Sequence, residues 1–250
     1  HYRDDNGAWQ DRDMSIVQNI AGNSPYTFVN TTNDVKSYFP GVSGNLPLRL
    51  KSEDGQLFEW WKKPSLSYID VHGLSKKYEA QTVPATLVSG GAQVHYTGIY
   101  PGITEEFTLV NGGMENNTII HALNADIHAL SDQGLVSFAQ FIPLQQGAQL
   151  LDPMGRVIKS NTEVVSFSIK VPGMNELVNF GKIVAFDHHL DKEKALGILV
   201  LPDEKLSVED RALIANNIYV GRFNIKFVQG GIELISQVPA KWLKATGRAF

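Results

Sequence analysis

Residues 92–120, AQVHYTGIYPGITEEFTLVNGGMENNTII, decide how this chain folds. Val94 and Tyr96 flank His95 in the period-two alternation of a half-buried strand, and Tyr100-Pro101-Gly102 is a strong turn signal. Phe107 and Leu109 alternate with Thr108, Asn111-Gly112-Gly113 supplies residues that tolerate positive φ, and Thr118-Ile119-Ile120 restarts an extended run. Strand, turn, strand, turn and strand in so short a stretch predict an antiparallel meander at the centre of a β-protein.

Working outward, the same punctuation recurs on both sides. Upstream, Asp5-Asn6-Gly7 predicts a hairpin anchored on a core by Trp9, and Tyr26 to Val29 and Val35 to Phe39 read as short strands. Leu46, Leu48 and Leu50 share one strand face. In residues 57–61, Leu57, Glu59 and Trp61 face one way, Phe58 and Trp60 the other, before a strand over 65–71 and a polar crossover over 74–85. Downstream, residues 125–130, 135–142 and 164–169 continue the strand pattern, and 195–201 reads as a buried strand. The helix signal is confined to residues 206–217, where Ser207 followed three residues later by Asp210 forms a capping-box-like start. Strands over 218–223, 225–228 and 232–238 close the chain. The fold class predicted is all-β: a large antiparallel β-sandwich, as one supersandwich-like domain or two packed lobes near 1–85 and 86–250, with one short helix.

The chain has 250 residues, 43% hydrophobic and 19% charged, enough to bury a substantial core. A formal net charge of -4 without a Lys/Arg cluster gives no footprint for nucleic acid or anionic lipid. No apolar run reaches the length of a membrane span. With no cysteine, disulfides, thiolate metal sites and cysteine nucleophiles are excluded. The opening His1-Tyr2-Arg3-Asp4 lacks the pattern of a signal peptide, so export implies a leader outside this stretch.

Chemistry-bearing residues are sparse. Trp60-Trp61 with Phe58 and Tyr68 is the best binding candidate, because such rings stack on the apolar faces of sugars; aromatics more often fill β-cores, which takes Trp9, Trp60 and Trp242 and leaves Trp61, with Tyr68, as the arguable exposed platform. Asp187-His188-His189 is the one metal-like cluster, and on a strand only Asp187 and His189 share a face. His121 and His128, with Glu115 or Asp126, are the residues a glycan-active site would need to bring together. Glu105-Glu106 and Glu53-Asp54 read as solvated faces, since adjacent strand carboxylates point opposite ways and cannot flank one glycosidic bond. Asn30-Thr31-Thr32 and Asn116-Asn117-Thr118 match the glycosylation pattern. No nucleophile elbow or phosphate-loop glycine spacing occurs, and no cofactor is implied.

Three separated stretches resemble a known group. The opening residues 2–13, YRDDNGAWQDRD, resemble the Y-x-D-x-x-G-x-W-x-x-x-D entry of β-rich N-terminal regions in large secreted bacterial surface proteins, of the Rhs/YD-repeat, wall-associated and Bacteroidetes types. Val94-His95-Tyr96 with Ile99-Tyr100-Pro101-Gly102-Ile103 resembles their V-x-Y-x-x-V-Y-P-G-I-D strand and turn, and residues 238–250 resemble their I-P-x-x-W-L exit. Thr104 stands where those proteins carry an acidic residue, and Met114-Glu115 where they carry Lys-Glu. The resemblance implies a secreted or cell-surface bacterial protein and a chain that continues past Phe250. It also implies a non-catalytic structural or interaction module whose partners are adjoining domains of the same chain or a cell-surface or secretion component. Carbohydrate binding through Trp61 and Tyr68 is the alternative expectation, and a glycan-active enzyme the second.

Overall fold

The computed structural model describes residues 2–3, 8–22, 24–44, 46–110, 113–186, 190–199 and 205–246. Strands take 52% of the chain and helices 13%, in several antiparallel sheets, so the all-β sandwich expectation holds. The predicted meander is present as a four-stranded sheet in the order Thr86–Val88, Gln93–Tyr100, Ile103–Val110, Gly113–Ile120. A second meander, Val17–Gln18, Tyr26–Asn30, Lys36–Pro40, Leu48–Lys51 and Leu57–Trp60, forms a five-stranded sheet. The largest sheet has six strands in the order Thr162–Val164, Phe223–Val228, Gly231–Pro239, Leu135–Pro143, Lys62–Asp70, Gly73–Glu79. A further four-stranded sheet joins Val157–Ile158, Gln149–Leu151, Phe167–Lys170 and Leu177–Phe180, and Ile183–Phe186 pairs with Ile218–Gly221.

Two corners route the chain between sheets. The run read as one strand at 164–169 breaks after Val164, so that Thr162–Val164 pairs in the six-stranded sheet and Phe167–Lys170 in the neighbouring one. At the other corner the chain leaves the five-stranded sheet at Trp60 and enters the six-stranded sheet at Lys62. The intervening Trp61 has φ 56°, and Lys63 has φ 51°, a left-handed conformation rare for bulky residues.

The six-stranded sheet serves two cores. One gathers Phe39, Leu48, Trp61, Tyr68, Tyr96 and Phe107 with Val136 and Val238. The other gathers Phe58, Phe167, Phe180 and Ile225 with Ile142, Ile232 and Leu234. The strands Leu135–Pro143 and Gly231–Pro239 therefore contribute to both, one end each, and a boundary near residue 85 cuts through the first core.

Several local expectations change. Residues 125–129 form a helix, not a strand, because Asn124 Oδ1 accepts the Ile127 N–H at 2.9 Å as an N-cap. Residues 192–199 are also helical where 195–201 was read as a buried strand; Asp191 Oδ1 accepts the Lys194 N–H at 2.9 Å, and the short apolar run after it fits either period. The crossover expected over 74–85 holds the strand Gly73–Glu79, and Ala240–Thr246 is helical. The capping box at Ser207 and Asp210 opens Val208–Asn217 as read. The Tyr2–Arg3 and Trp9–Gln10 hairpin forms, yet Trp9 is 67% exposed and does not anchor it in a core.

Phe107 sits at the centre of the first core, fully buried, with its ring centroid 5.1 Å from Trp61, 6.0 Å from Tyr96 and 6.3 Å from both Phe39 and Trp60. Phe107→Ala is expected to cost about 3–5 kcal/mol, read as a shift of the urea midpoint at unchanged slope.

Candidate functional site

The side chains the sequence offered as a surface platform lie inside. Trp61 is 3% exposed and Tyr68 fully buried. The Trp61 ring packs at 5.1 Å from both Tyr96 and Phe107, because the corner at its left-handed backbone turns it into the first core. The Tyr68 hydroxyl accepts the Asn124 side-chain N–H at 2.8 Å, beneath the cap of the helix Ala125–Ala129. Neither presents a face to a sugar ring, so the stacking geometry is replaced by core packing. Asp187 and His189 lie outside the described residues. Among the described residues no three His, Asp or Glu side chains come together as a metal site. His121 pairs with Thr104 at 2.8 Å, and His128 is exposed on the helix Ala125–Ala129. Asp126 is engaged by Lys76 at 3.0 Å and by the Tyr78 hydroxyl at 2.7 Å. These residues do not converge.

What the structure does assemble is built on the pair read as a solvated face. Glu105 is 4% exposed and Glu106 9%, on the middle strand of the central meander. The pleat sends them to opposite faces, as the alternation requires. Register places Glu105 opposite Thr118 and Glu106 opposite Asn117. On the outer face Glu106 accepts from Asn117 Nδ2 at 2.7 Å and pairs with His95 Nε2 at 3.0 Å, a polar row across three strands. On the inner face Glu105 Oε1 accepts from the Thr118 hydroxyl at 2.7 Å and Oε2 from Asn116 Nδ2 at 2.6 Å. The stretch that matched a glycosylation pattern is thus a run of side-chain donors for two buried carboxylates.

Glu105 forms the floor of a partly open recess of about 40 Å³ between the central meander and the six-stranded sheet. Asn116 and Thr118 line one side, Phe138 and Gln140 the other, with Trp61 and Tyr100 at the sheet corner. Gln140 Oε1 is itself buried and accepts no hydrogen bond among the described residues. Among the described residues no cationic side chain lines the recess. Burial pushes the Glu105 carboxyl up to about 7, against the pull of the Thr118 and Asn116 donors. Burial, reinforced by the Glu105 charge, also pushes the Tyr100 phenol above its ordinary value. Glu105 can hold a proton there, and the size of the recess is far below the 300–1,000 Å³ or so of ordinary small-molecule pockets.

The strand that supplies the donors is itself an edge. Among the described residues nothing pairs with the far side of Gly113–Ile120, and Asn116 is exposed at the mouth of the recess. Sequence patterning located this strand, but the burial of Glu105 and the donor role of Asn116 and Thr118 emerge only once register is known.

Comparison with protein-family models, with curated proteins and with solved structures finds no match. What the site does has to follow from its geometry.

A raised Glu105 pKa gives a definite pH signature. The folded state holds this proton more tightly than the unfolded chain, whose ordinary value is 4.5. The contribution of Glu105 to stability is therefore most favourable below that value and is lost as pH rises through about 7. The carboxyls of Asp13, Asp70, Asp126, Asp152 and Asp210 are held below their ordinary range by hydrogen bonds, so they act at more acid pH and with the opposite slope. Denaturant titrations of wild type and Glu105→Gln from pH 4.5 to 8 are expected to diverge by up to about 3 kcal/mol, with the variant gaining relative stability at the alkaline end.

Proposed function

We propose that this chain is a non-catalytic β-interaction module that holds an extended segment at the open edge Gly113–Ile120. The segment comes from an adjoining domain of the same longer protein or from a cell-surface or secretion partner. The observation that carries this is the contrast between that edge and the others. Val17–Gln18, Val157–Ile158, Thr86–Val88, Thr162–Val164, Leu57–Trp60 and Leu177–Phe180 are edges of two to four residues. Gly73–Glu79 is long but carries Lys76 and Lys77, with Lys76 tied to Asp126 and Lys77 to Glu79. Short length and edge lysines are the devices by which sheets avoid pairing with other chains. Gly113–Ile120 has eight residues and neither lysine nor proline. Such a strand is a template for β-augmentation, in which main-chain hydrogen bonds supply affinity and alternate side chains supply specificity.

Placement outside the cell belongs to the same proposal and rests on the three motif stretches at 2–13, 94–103 and 238–250. The aromatic and carboxylate side chains that would serve a glycan site are committed to internal contacts, which favours a main-chain docking mode over a sugar platform.

Panning a random nine-residue peptide library on the immobilised protein tests the edge. Enriched peptides, made synthetically, are expected to slow amide hydrogen exchange across Gly113–Ile120 by at least tenfold while Gly73–Glu79 is unchanged. Ile119→Lys, which adds an edge lysine, is expected to weaken them by tenfold or more. Peptides that protect a different segment, or a library that yields none, would overturn the proposal.

A further inference from the structure

Resting on the open-edge reading, we infer that the Glu105 recess selects a lysine side chain on the strand that docks along Gly113–Ile120. Glu105 is a buried carboxylate whose protein partners, Thr118 and Asn116, are both neutral donors. A buried charge without a counter-charge is costly unless something compensates it. Gln140 lines the recess from the facing sheet, and its Oε1, itself buried, has no donor among the described residues. A buried carboxyl with only neutral donors, beside an acceptor left without one, calls for a donor-rich cation.

Position fits an arriving strand. Asn116 and Thr118 belong to the edge strand itself, and Glu105 leans toward them from the next strand in, at 2.6 and 2.7 Å. A docked strand lies about 4.8 Å beyond the edge, and its inward side chains run alongside Asn116 and Thr118. The flexible four-carbon stem of lysine spans that row and places its ammonium between Glu105 and Gln140. Arginine is the poorer occupant. Its planar guanidinium is bulkier than an ammonium, and a recess of about 40 Å³ leaves it less room. An ammonium carries three rotatable donors and takes one remaining lone pair from each acceptor. Its head group is close to a water in size, and a recess of about 40 Å³ admits it.

The test uses fluorescein-labelled nine-residue peptides of alternating Thr and Val that carry lysine, or its uncharged counterpart norleucine, at the central position. Binding to the protein is followed by fluorescence anisotropy and by hydrogen exchange at Gly113–Ile120. The lysine peptide is expected to bind at least tenfold tighter than the norleucine peptide, with that advantage abolished in Glu105→Gln and reduced about threefold in Gln140→Met. Gln140→Met keeps the test decisive where Glu105→Gln perturbs folding, since it removes the orphaned acceptor and leaves the Glu105 contacts in place. Equal binding of the two peptides with protection of the edge would remove lysine selection and leave the open edge standing. Failure of both peptides to protect the edge would remove the two together.

Discussion

Two adjacent carboxylates inside a sheet constrain the rest of this structure. Glu105 and Glu106 are buried on opposite faces of the middle strand, and Asn116, Asn117 and Thr118 of the edge strand supply donors to both. An apolar sheet face can tolerate a shifted neighbour at the cost of packing. Here a slip of one residue would exchange the faces of the donors and strand each carboxylate without its partners. Register in the central meander is therefore fixed by polar groups as well as by Val94, Tyr96 and Phe107. The edge strand is held by what it gives to its neighbour, and among the described residues no second strand lies beyond it.

The corner at Trp61 belongs to the same arrangement. A tryptophan with φ 56° costs on the order of 1–3 kcal/mol relative to an ordinary conformation. It persists because the ring is wedged against Tyr96 and Phe107, each at 5.1 Å, where aromatic burial offsets the strain. That corner carries the chain from the five-stranded to the six-stranded sheet and sets Phe138 and Gln140 across from Glu105. The recess exists because two sheets meet at a strained turn and the residues between them do not fill the gap.

The meander's strands, the paired strands at the start and the capped helix at Val208–Asn217 were legible in residues a few positions apart, because pleat and capping are local; the turn expected at Asn111-Gly112 lies outside the described residues. The helices at Ala125–Ala129 and Lys192–Leu199 were missed: a cap from Asn124 or Asp191 outweighed a short apolar pattern compatible with either period. Exposure was harder still. Adjacent glutamates are solvated in most sheets, and adjacent tryptophans divide between faces, so nothing local distinguished the buried Trp61 from the exposed Trp9. Those assignments depend on which sheet covers which face, a property of contacts between residues far apart in the chain, such as the Tyr96 hydroxyl donating to Pro40 O at 2.8 Å.

The lack of lysine on this edge goes with the carboxylates. Inward positions of Gly113–Ile120 near the recess are occupied by Asn116 and Thr118, which serve Glu105, and the outward Asn117 serves Glu106. A lysine at 116 or 118 would defend the edge against pairing and also neutralise Glu105 from within. Short neutral donors do neither: they satisfy the geometry of the carboxylate and leave its charge uncompensated. In Gly73–Glu79 the opposite choice is visible, with Lys76 and Lys77 pointing away from the backbone edge into their own ion pairs. The chain thus closes one long edge with charge, while among the described residues the other is unpaired beside a buried carboxyl. Both features go with Asn and Thr, rather than Lys, at positions 116 and 118.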